Sequence, residues 1–331
     1  MCGISGFVNL DGSFADKKIL KNINSKISHR GPDGEGYWLK DNVGIGHRRL
    51  AIIDLSKNAS QPMTAYDDRF VLSYNGELYN YLALKKDLTN LGYKFSSKSD
   101  SEVILYSLIE WKEKAIEKFN GMFAFCFFDK LEKKIIIARD RYGIKPIYYS
   151  LKDNLFIFAS EYKSILAHPR ISKSFNSLAL KEYLTFQNII SDKTLHKDVQ
   201  ILMPGNYLEF DTQLKKLSIT KYWDYKFTNN PDNLSQKEAE EELSYLFERA
   251  ISRQLVSDVE IGSYLSGGVD SGSIACLTSK AFDRLKTFTI GFDLSSASGI
   301  ELSYDERSKA EELSSLFKTD HYERVLKAGD M

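Results

Sequence analysis

The chain has 331 residues, of which 43% are hydrophobic, and its 45 basic and 45 acidic residues cancel at pH 7. This length predicts about two domains, and the zero net charge argues against a nucleic-acid or anionic-membrane partner. No apolar run reaches about 18 residues and no secretory signal opens the chain, so we predict a cytoplasmic protein without a membrane span. The three cysteines have no CxxC spacing, which argues against a disulfide framework or a structural zinc site. Cys126 and Cys276 lie in apolar segments and are predicted to be buried.

Cys2 directly follows Met1, whose removal would make the cysteine the N-terminal residue. An α-amino group has a pKa of about 8, so a useful fraction is neutral at pH 7 and can accept the thiol proton. Gly3 and Gly6 flank a short β-branched and aromatic run, which indicates a strand that other backbone approaches closely. The opening therefore predicts a nucleophile at the tip of a strand, suited to attack on an amide carbonyl.

Up to residue 225 the pattern predicts sheets covered by helices. Short runs rich in aromatic and β-branched residues predict strands, and apolar residues at helical spacing predict helices near 80–91 and 101–111. Sheets packed face to face with helices outside would accommodate this mixture. The predicted strands span 70–74, 122–129, 134–139, 146–150 and 155–159.

Residues 226–237 are polar and contain Pro231, a composition typical of a linker. After them helix and strand patterns alternate, which predicts an α/β domain with a doubly wound parallel sheet. Strands near 260–265, 287–291 and 320–325 make about three, fewer than the usual four to six. An exposed edge strand would favour self-association, compatible with a homodimer.

The segment SGGVDSG at 266–272 lies between a strand candidate and an amphipathic helix. Unpaired N–H groups at such a turn, with the hydroxyls of Ser266 and Ser271, predict a phosphate-binding site. The segment matches neither the Walker A pattern GxxxxGK[ST] nor the dinucleotide-binding pattern GxGxxG. Asp270 would repel phosphate unless a cation lay between them, so it is the candidate ligand of Mg²⁺.

A series of motifs along the whole chain resembles the bacterial type of glutamine-hydrolysing asparagine synthetase. The resemblance implies an α+β N-terminal-nucleophile domain with αββα layers, a class II glutamine amidotransferase, over 1–225. It implies an α/β PP-loop ATP-pyrophosphatase domain, incomplete here, over 238–331. Single motifs are shared with other enzymes, and the combination is specific. The motifs are MCGISGF, HRGPDGEG (29–36), GHRRLAIIDLS (46–56), YNGELYN (74–80), SDSEV (99–103), GMFAFCFFD (121–129), RDRYGIKPIYY (139–149) and LSGGVDS (265–271).

In the first domain the resemblance makes Cys2 the nucleophile that attacks the glutamine side-chain amide, giving a thioester and ammonia. The Asn75 side chain and the Gly76 N–H would form the oxyanion hole, although an NG pair after an apolar strand by itself indicates a hairpin turn. Arg49 would bind the glutamine α-carboxylate as a fork. The α-ammonium would bind Glu77 and Asp100, and backbone contacts would come from Ile52 and Ile53.

In the second domain the resemblance implies ATP bound to the glycine-rich segment. Family members adenylate the aspartate β-carboxylate with Mg-ATP, release pyrophosphate, and let ammonia displace AMP to form asparagine. Ammonia would pass between the two sites through a dry tunnel. The implied ATP-binding residues are Leu265, Ser266, Gly267, Gly268, Asp270, Ser271 and, behind the adenine, Ile290.

Family members extend beyond this length, and by Met331 the sequence shows neither the second pyrophosphate motif nor the aspartate site. We therefore expect a fragment with a complete glutaminase half and an incomplete synthetase half that binds ATP poorly by itself. Three functional hypotheses remain. The leading one is asparagine synthesis, and the second is a related amidotransferase that delivers ammonia to another activated acceptor, in a sugar or secondary-metabolite pathway. The third is a non-catalytic nucleotide-sensing module, against which the intact set of glutaminase residues argues.

Overall fold

A computed structural model of the protein describes residues 1–227, 234–293, 305–327 and 330. The chain divides into two compact units, Met1–Phe227 and Thr228–Met331. The predicted linker 226–237 lies partly outside the described residues, at 228–233, and a helix has already begun at Gln236.

Two six-stranded antiparallel sheets form the centre of the first unit. One sheet has the order β10-β8-β9-β1-β3-β2 and the other β12-β11-β7-β6-β5-β4. The strands are β1 (Gly3–Asn9), β2 (Gly34–Lys40), β3 (Val43–Arg49), β4 (Met63–Ala65), β5 (Phe70–Leu78), β6 (Gly121–Asp129), β7 (Lys134–Arg139), β8 (Tyr148–Lys152), β9 (Leu155–Ala159), β10 (Gln200–Ile201), β11 (Asn206–Asp211) and β12 (Lys216–Lys221).

The main core of this unit lies between the two sheets. In β1, Ile4 and Val8 point into this core while Phe7 belongs to a second cluster on the opposite face, as the two-residue period of a strand requires. In β6, Cys126 and Phe128 also belong to the inner core. The aromatic run of β6 is therefore explained by burial on both of its faces.

Helices cover the outer faces of both sheets, which confirms the αββα arrangement. Helix α1 (Lys17–Ser25) packs on β1 and β3, and α3 (Asp100–Trp111) packs on β5. Each of these helices begins at a polar cap: Asp16 accepts from the Lys18 N–H, and Ser99 accepts from the Ser101 N–H. The others are α2 (Tyr81–Asn90), α4 (Ala115–Lys118), α5 (Tyr162–Ile165) and α6 (Ser177–Phe186).

Strand β5 differs from its prediction, because it continues to Leu78 instead of ending at 74. Asn75 and Gly76 are paired within the strand, opposite Ala124 and Phe123, so the hairpin interpretation of this NG pair is wrong. A side chain at Gly76 could not fit, since an added Cβ would lie 2.2 Å from the Met122 carbonyl oxygen. Glycine is needed here for close approach between strands.

The second unit contains a parallel sheet, as predicted. Its strands β13 (Gly262–Tyr264), β14 (Lys286–Phe292) and β15 (Asp320–Leu326) lie in that order. Its helices are α7 (Gln236–Gln254), α8 (Val269–Ser279) and α9 (Arg307–Phe317). Leu265, Ala275 and Ala310 form a small core among the described residues. Cys276 is only half-buried, which corrects its predicted burial, because it lies on the outer side of α8 beside an apolar groove.

Within the described ranges, no helix has the length and apolar character needed to cross a membrane. The same part of the chain holds no cluster of three or more His, Cys, Asp or Glu side chains arranged to bind a metal ion.

Candidate active site

A cavity of about 220 Å³ in the first unit brings together all the residues that the resemblance assigned to glutamine. They come from the residue before β1, the end of β3, the segment after it, the second half of β5 and the start of α3. Residues from distant parts of the sequence therefore meet in one pocket. These residues are Cys2, Arg49, Ile52, Ile53, Asn75, Gly76, Glu77 and Asp100.

The Cys2 thiol lies at one wall of this cavity, against the backbone of Leu50. The Leu50 N–H donates to Sγ at 3.3 Å, and Sγ lies 3.5 Å from the Leu50 carbonyl oxygen. Burial raises the pKa of the Cys2 thiol above its ordinary value, although the Leu50 hydrogen bond opposes this shift. The thiol is therefore protonated at neutral pH, and it needs a base in order to attack.

The chain terminus is a suitable place for that base. Met1 lines the cavity, and burial lowers the pKa of its α-amino group below 8.0. A neutral amine is thus favoured at this position. Removal of Met1 would transfer the amino group to Cys2 itself.

Three alternate N–H groups of β5 point away from β6. The Tyr74 N–H donates to Gln61 Oε1 at 2.6 Å, and the Leu78 N–H donates to Asp100 Oδ2 at 2.9 Å. Gly76 lies between them, opposite Phe123, whose own N–H and C=O bond to Asp140. Gly76 and Phe123 are therefore a facing pair with no hydrogen bonds between them. The N–H of Gly76 points away from β6, toward the cavity.

The Asn75 side chain supplies a second donor. It is only 1% exposed, and its Nδ2 is buried without a hydrogen-bond partner among the described residues. An unpaired buried amide costs free energy, so its retention in a cavity beside a thiol points to a bound oxygen atom. The preceding carbonyl is fixed, because His47 Nε2 donates to the Tyr74 oxygen at 3.0 Å. Burial lowers the pKa of His47 to about 4, so this histidine is neutral.

Arg49 lines the same cavity and is held by the tight turn that follows it. Its guanidinium donates to the Ser56 carbonyl oxygen at 2.9 Å and to that of Asp54. Asp54 is fixed in turn by accepting from the Lys98 N–H at 2.7 Å. A guanidinium carries five N–H donors in a planar fork, so donors remain for a carboxylate in the cavity.

Two carboxylates also line the cavity, in different environments. Asp100 is buried, and its Oδ2 accepts from Tyr74 Oη at 2.8 Å as well as from the Leu78 N–H. The Glu77 carboxylate makes no hydrogen bond to the described residues, and the residue is half-buried. Burial raises the pKa of both carboxyl groups. Glu77 is the more available acceptor for an ammonium group.

Lys145 also lines the cavity, which the sequence did not predict. Its side chain is buried, and burial lowers its pKa while Glu77 opposes this. The loop that carries it is rigidly organised by Asp140, which accepts from the N–H groups of Tyr142, Ile144 and Lys145. The only available signal was that Lys145 lies inside the quoted motif RDRYGIKPIYY.

In the second unit, the glycine-rich segment is shorter than predicted, because α8 begins at Val269. Asp270 and Ser271 therefore lie in the first turn of that helix. Ser271 Oγ bonds to Ser266 Oγ at 2.8 Å and accepts from the Ser266 N–H at 3.0 Å. The two hydroxyls thus close the loop on itself. Gly268 caps the helix without a side-chain bond, which leaves first-turn N–H groups open.

The remaining ATP candidates have unequal surroundings. Leu265 is buried, with its N–H bonded to the Phe288 oxygen and its oxygen to Thr289 Oγ1. Ile290 is 56% exposed on β14. The stem of Lys309 lies against the loop, since an added Cβ on Gly267 would be 2.7 Å from it. This lysine was not singled out in the sequence.

Comparison with known proteins identifies the family of the chain. The family model described as "Glutamine amidotransferase domain" matches residues 1–223, and the one described as "Asparagine synthase" matches residues 242–331. The chain is 33% identical over 344 residues to asparagine synthetase (glutamine-hydrolyzing) 3 of Bacillus subtilis (strain 168), covering 100% of this chain and 55% of the relative. It is 35% identical over 352 residues to putative asparagine synthetase (glutamine-hydrolyzing) 2 of Methanocaldococcus jannaschii, and the match covers 100% of this chain and 66% of that relative.

A solved structure shares the fold. Glutamine phosphoribosylpyrophosphate amidotransferase from B. subtilis, in complex with ADP and GMP, matches with a TM-score of 0.50 at 15% identity, over 97% of this chain and 65% of that chain. The chain spans between about half and two thirds of the length of the two asparagine synthetase relatives. The chain belongs to the family of glutamine-hydrolysing asparagine synthetases, with a class II glutamine amidotransferase domain followed by residues that match asparagine synthase.

Proposed function

We propose that this protein hydrolyses glutamine to glutamate and ammonia at Cys2. One observation carries the proposal: the buried Cys2 thiol shares a cavity with Asn75, whose Nδ2 has no partner among the described residues, and with Gly76, whose N–H points toward that cavity. Two donors beside a nucleophile are the arrangement that stabilises the oxyanion of a tetrahedral intermediate.

The reaction proceeds in two halves. After removal of Met1, the α-amine of Cys2 takes the thiol proton as Sγ attacks the side-chain amide carbon of glutamine. The carbonyl oxygen becomes an oxyanion between Asn75 Nδ2 and the Gly76 N–H. The amine then returns the proton to the leaving nitrogen, so ammonia departs and a γ-glutamyl thioester remains. Water attacks the thioester by the same route and releases glutamate with the free thiol.

Charged residues that line the cavity select the amino-acid end of glutamine. Arg49 binds the α-carboxylate with the donors that the turn at Asp54 and Ser56 leaves open. Glu77 and Asp100 attract the α-ammonium. The backbone at Ile52 and Ile53, which also lines the cavity, completes the contacts.

We further propose that the ammonia is used for asparagine synthesis. Support comes from the names of the relatives and from the match of residues 242–331 to asparagine synthase. Aspartate is activated with Mg-ATP as β-aspartyl-AMP, and ammonia displaces AMP to give asparagine, with pyrophosphate as the other product. Residues 1–225 form the glutaminase and 238–331 belong to the synthetase. Because glutamine, aspartate and ATP are cytoplasmic metabolites, we propose a cytoplasmic activity. The edge strands of the parallel sheet in the described residues would allow a homodimer.

The glycine-rich segment fits a nucleotide phosphate. First-turn N–H groups of α8 are open, and the loop is already closed by Ser266 and Ser271. Asp270 is exposed in the same turn and stands apart from other metal-ligand side chains among the described residues. It would therefore share Mg²⁺ with the phosphates instead of supplying a complete cage. When bound, the ion would neutralise charge on the phosphates.

The direct test is glutamine hydrolysis by the purified chain without any acceptor. We expect glutamate and ammonia in equal amounts from the wild type and none above background from Cys2→Ala. Cys276→Ala is the matched control, because it removes a half-buried thiol outside the cavity, and it should retain full activity. Equal hydrolysis by the wild type and Cys2→Ala would contradict the proposal. In the complete protein, aspartate-dependent AMP matched by asparagine would identify the acceptor.

A further inference from the structure

The residues that follow β9 hold the beginning of β1 in place. The Ser160 N–H donates to the Ile4 carbonyl oxygen at 2.9 Å, and the Ile4 N–H donates to Ser160 Oγ at 3.0 Å. All four of these groups are buried. The backbone immediately after Cys2 is therefore fixed by a reciprocal pair of bonds to one residue.

Glu161, the next residue, reaches Cys2 through Arg30. Arg30 Nε donates to the Cys2 carbonyl oxygen at 2.9 Å, and its Nη1 donates to Glu161 Oε1 at 3.0 Å. The Arg30 side chain is 8% exposed, so its charge depends on this partner. Neither residue lines the glutamine cavity.

The carboxylate of Glu161 is held in its ionised form. Burial raises the pKa of Glu161, but hydrogen bonds from Lys163, Arg30 and His29 outweigh it and bring the pKa to about 2. Lys163 Nζ lies 2.9 Å from Oε2, and His29 Nε2 lies 2.9 Å from Oε1. Both of these partners are half exposed, whereas Arg30 is buried. The mechanism proposed above uses none of these groups.

We propose that Glu161 is a positioning residue for the nucleophile, an inference that rests on the proposed role of Cys2. Glu161 fixes the guanidinium of Arg30, and Arg30 fixes the carbonyl of Cys2. Without the carboxylate, the buried guanidinium must find another acceptor or turn toward water, which releases the Cys2 carbonyl. Sγ then loses its alignment with the amide carbon. The Arg49 side chain is not disturbed, because the ion-pair partners of Glu161 among the described residues are Arg30, His29 and Lys163, and Glu161 does not line the cavity.

The test compares Glu161→Gln with Lys163→Met in glutamine hydrolysis by the chain. Glu161→Gln keeps the shape and removes the charge, and we expect kcat to fall by about tenfold to a hundredfold, since small misplacements of a reacting group have such costs. KM for glutamine should stay within about twofold, because the substrate grip is unchanged. Lys163→Met removes a solvent-exposed partner of the same carboxylate, and it should stay within about twofold of wild type in both constants.

A second variant keeps the test decisive if Glu161→Gln fails to fold. Glu161→Asp retains the charge but is one methylene too short to reach Arg30 at 3.0 Å without movement, so it should fold and still lose kcat selectively. Unchanged kcat in folded Glu161→Gln or Glu161→Asp would overturn the inference, as would a rise in KM equal to the fall in kcat. In those cases an active wild type and an inactive Cys2→Ala would leave the proposed function standing. An inactive wild type would reject the proposed function itself.

Discussion

The two candidate sites of this chain are built in opposite ways. The Cys2 cavity gathers residues from position 1 to position 145 of the sequence, and most of its polar groups are buried. The glycine-rich loop of the second unit is made almost entirely from residues 265–271, and Asp270 is exposed. The first site therefore depends on the whole fold for its geometry and its pKa shifts, whereas the second depends mainly on local hydrogen bonds.

The largest expected effect tests the oxyanion hole of the distributed site. Asn75→Ala removes the unpaired donor, and we expect kcat for glutamine hydrolysis to fall by about a hundredfold to a thousandfold with little change in KM. Asn22→Ala is the matched control, because Asn22 bonds to the Ala167 carbonyl on the surface. Steady-state kinetics separates the two constants. A fall of less than about threefold would exclude Asn75 from the oxyanion hole.

The next effect concerns recognition of the substrate α-carboxylate by Arg49. Arg49→Met should raise KM for glutamine by roughly tenfold to a hundredfold, since a hydrogen bond to a charged group is worth about 1.5 to 3 kcal/mol. The adjacent Arg48 pairs with Glu35 at 2.8 Å and does not line the cavity, so Arg48→Met should leave KM nearly unchanged. If the two variants had equal KM values, the assignment of the α-carboxylate site would be wrong.

A third prediction concerns stability and the burial of His47. Its folded pKa of about 4 lies below its ordinary value of 6.5, so the unfolded chain takes up the proton first and stability falls as the pH decreases from 6.5 toward 4. At pH 5 this costs about 2 kcal/mol. Urea unfolding at pH 7 and pH 5 should show that His47→Gln loses about 2 kcal/mol less than wild type. Equal losses in both proteins would contradict the burial argument.

The smallest effect belongs to the local site. Ser271→Ala removes the bonds that close the loop with Ser266, and we expect a loss of about 1 kcal/mol in the stability of the second unit. Glutamine hydrolysis should not change, because the Cys2 cavity uses no residue of that unit. Urea unfolding and the glutaminase assay measure the two properties on one sample. A fall in hydrolysis would show that the Cys2 site depends on the glycine-rich loop, which would contradict the description of that loop as a separate, local site.

The layers of the fold could be predicted because they follow from local patterns. The aromatic run of β6 and the alternation of helix and strand after residue 234 both indicate their elements without reference to distant residues. The glycine-rich loop belongs to the same class, since its strand, turn and helix are consecutive. Only the resemblance to the family predicted that Cys2 and the other glutamine-site residues up to Asp100 lie together. No local pattern in the sequence indicates this.

The errors and omissions come from contacts between distant residues. The pair Asn75–Gly76 indicates a turn locally, but β6 continues alongside it, and close approach of the Met122 carbonyl gives glycine another purpose. Lys145 enters the cavity only because Asp140 and Arg139 fold its loop back. Glu161 and Arg30 are separated by 131 residues, so their ion pair could not be inferred from spacing.

The central claim is that Cys2 forms a covalent intermediate with glutamine, and intact-mass spectrometry of rapidly acid-quenched protein tests it most directly. The wild type, mixed with excess glutamine, should have the mass of the chain without Met1 plus one γ-glutamyl group, and digestion after the quench should locate that group on the peptide that begins at Cys2. Cys2→Ala should gain nothing. Rapid hydrolysis by the wild type with no acyl adduct at any quench time, or with Met1 retained, would contradict the account.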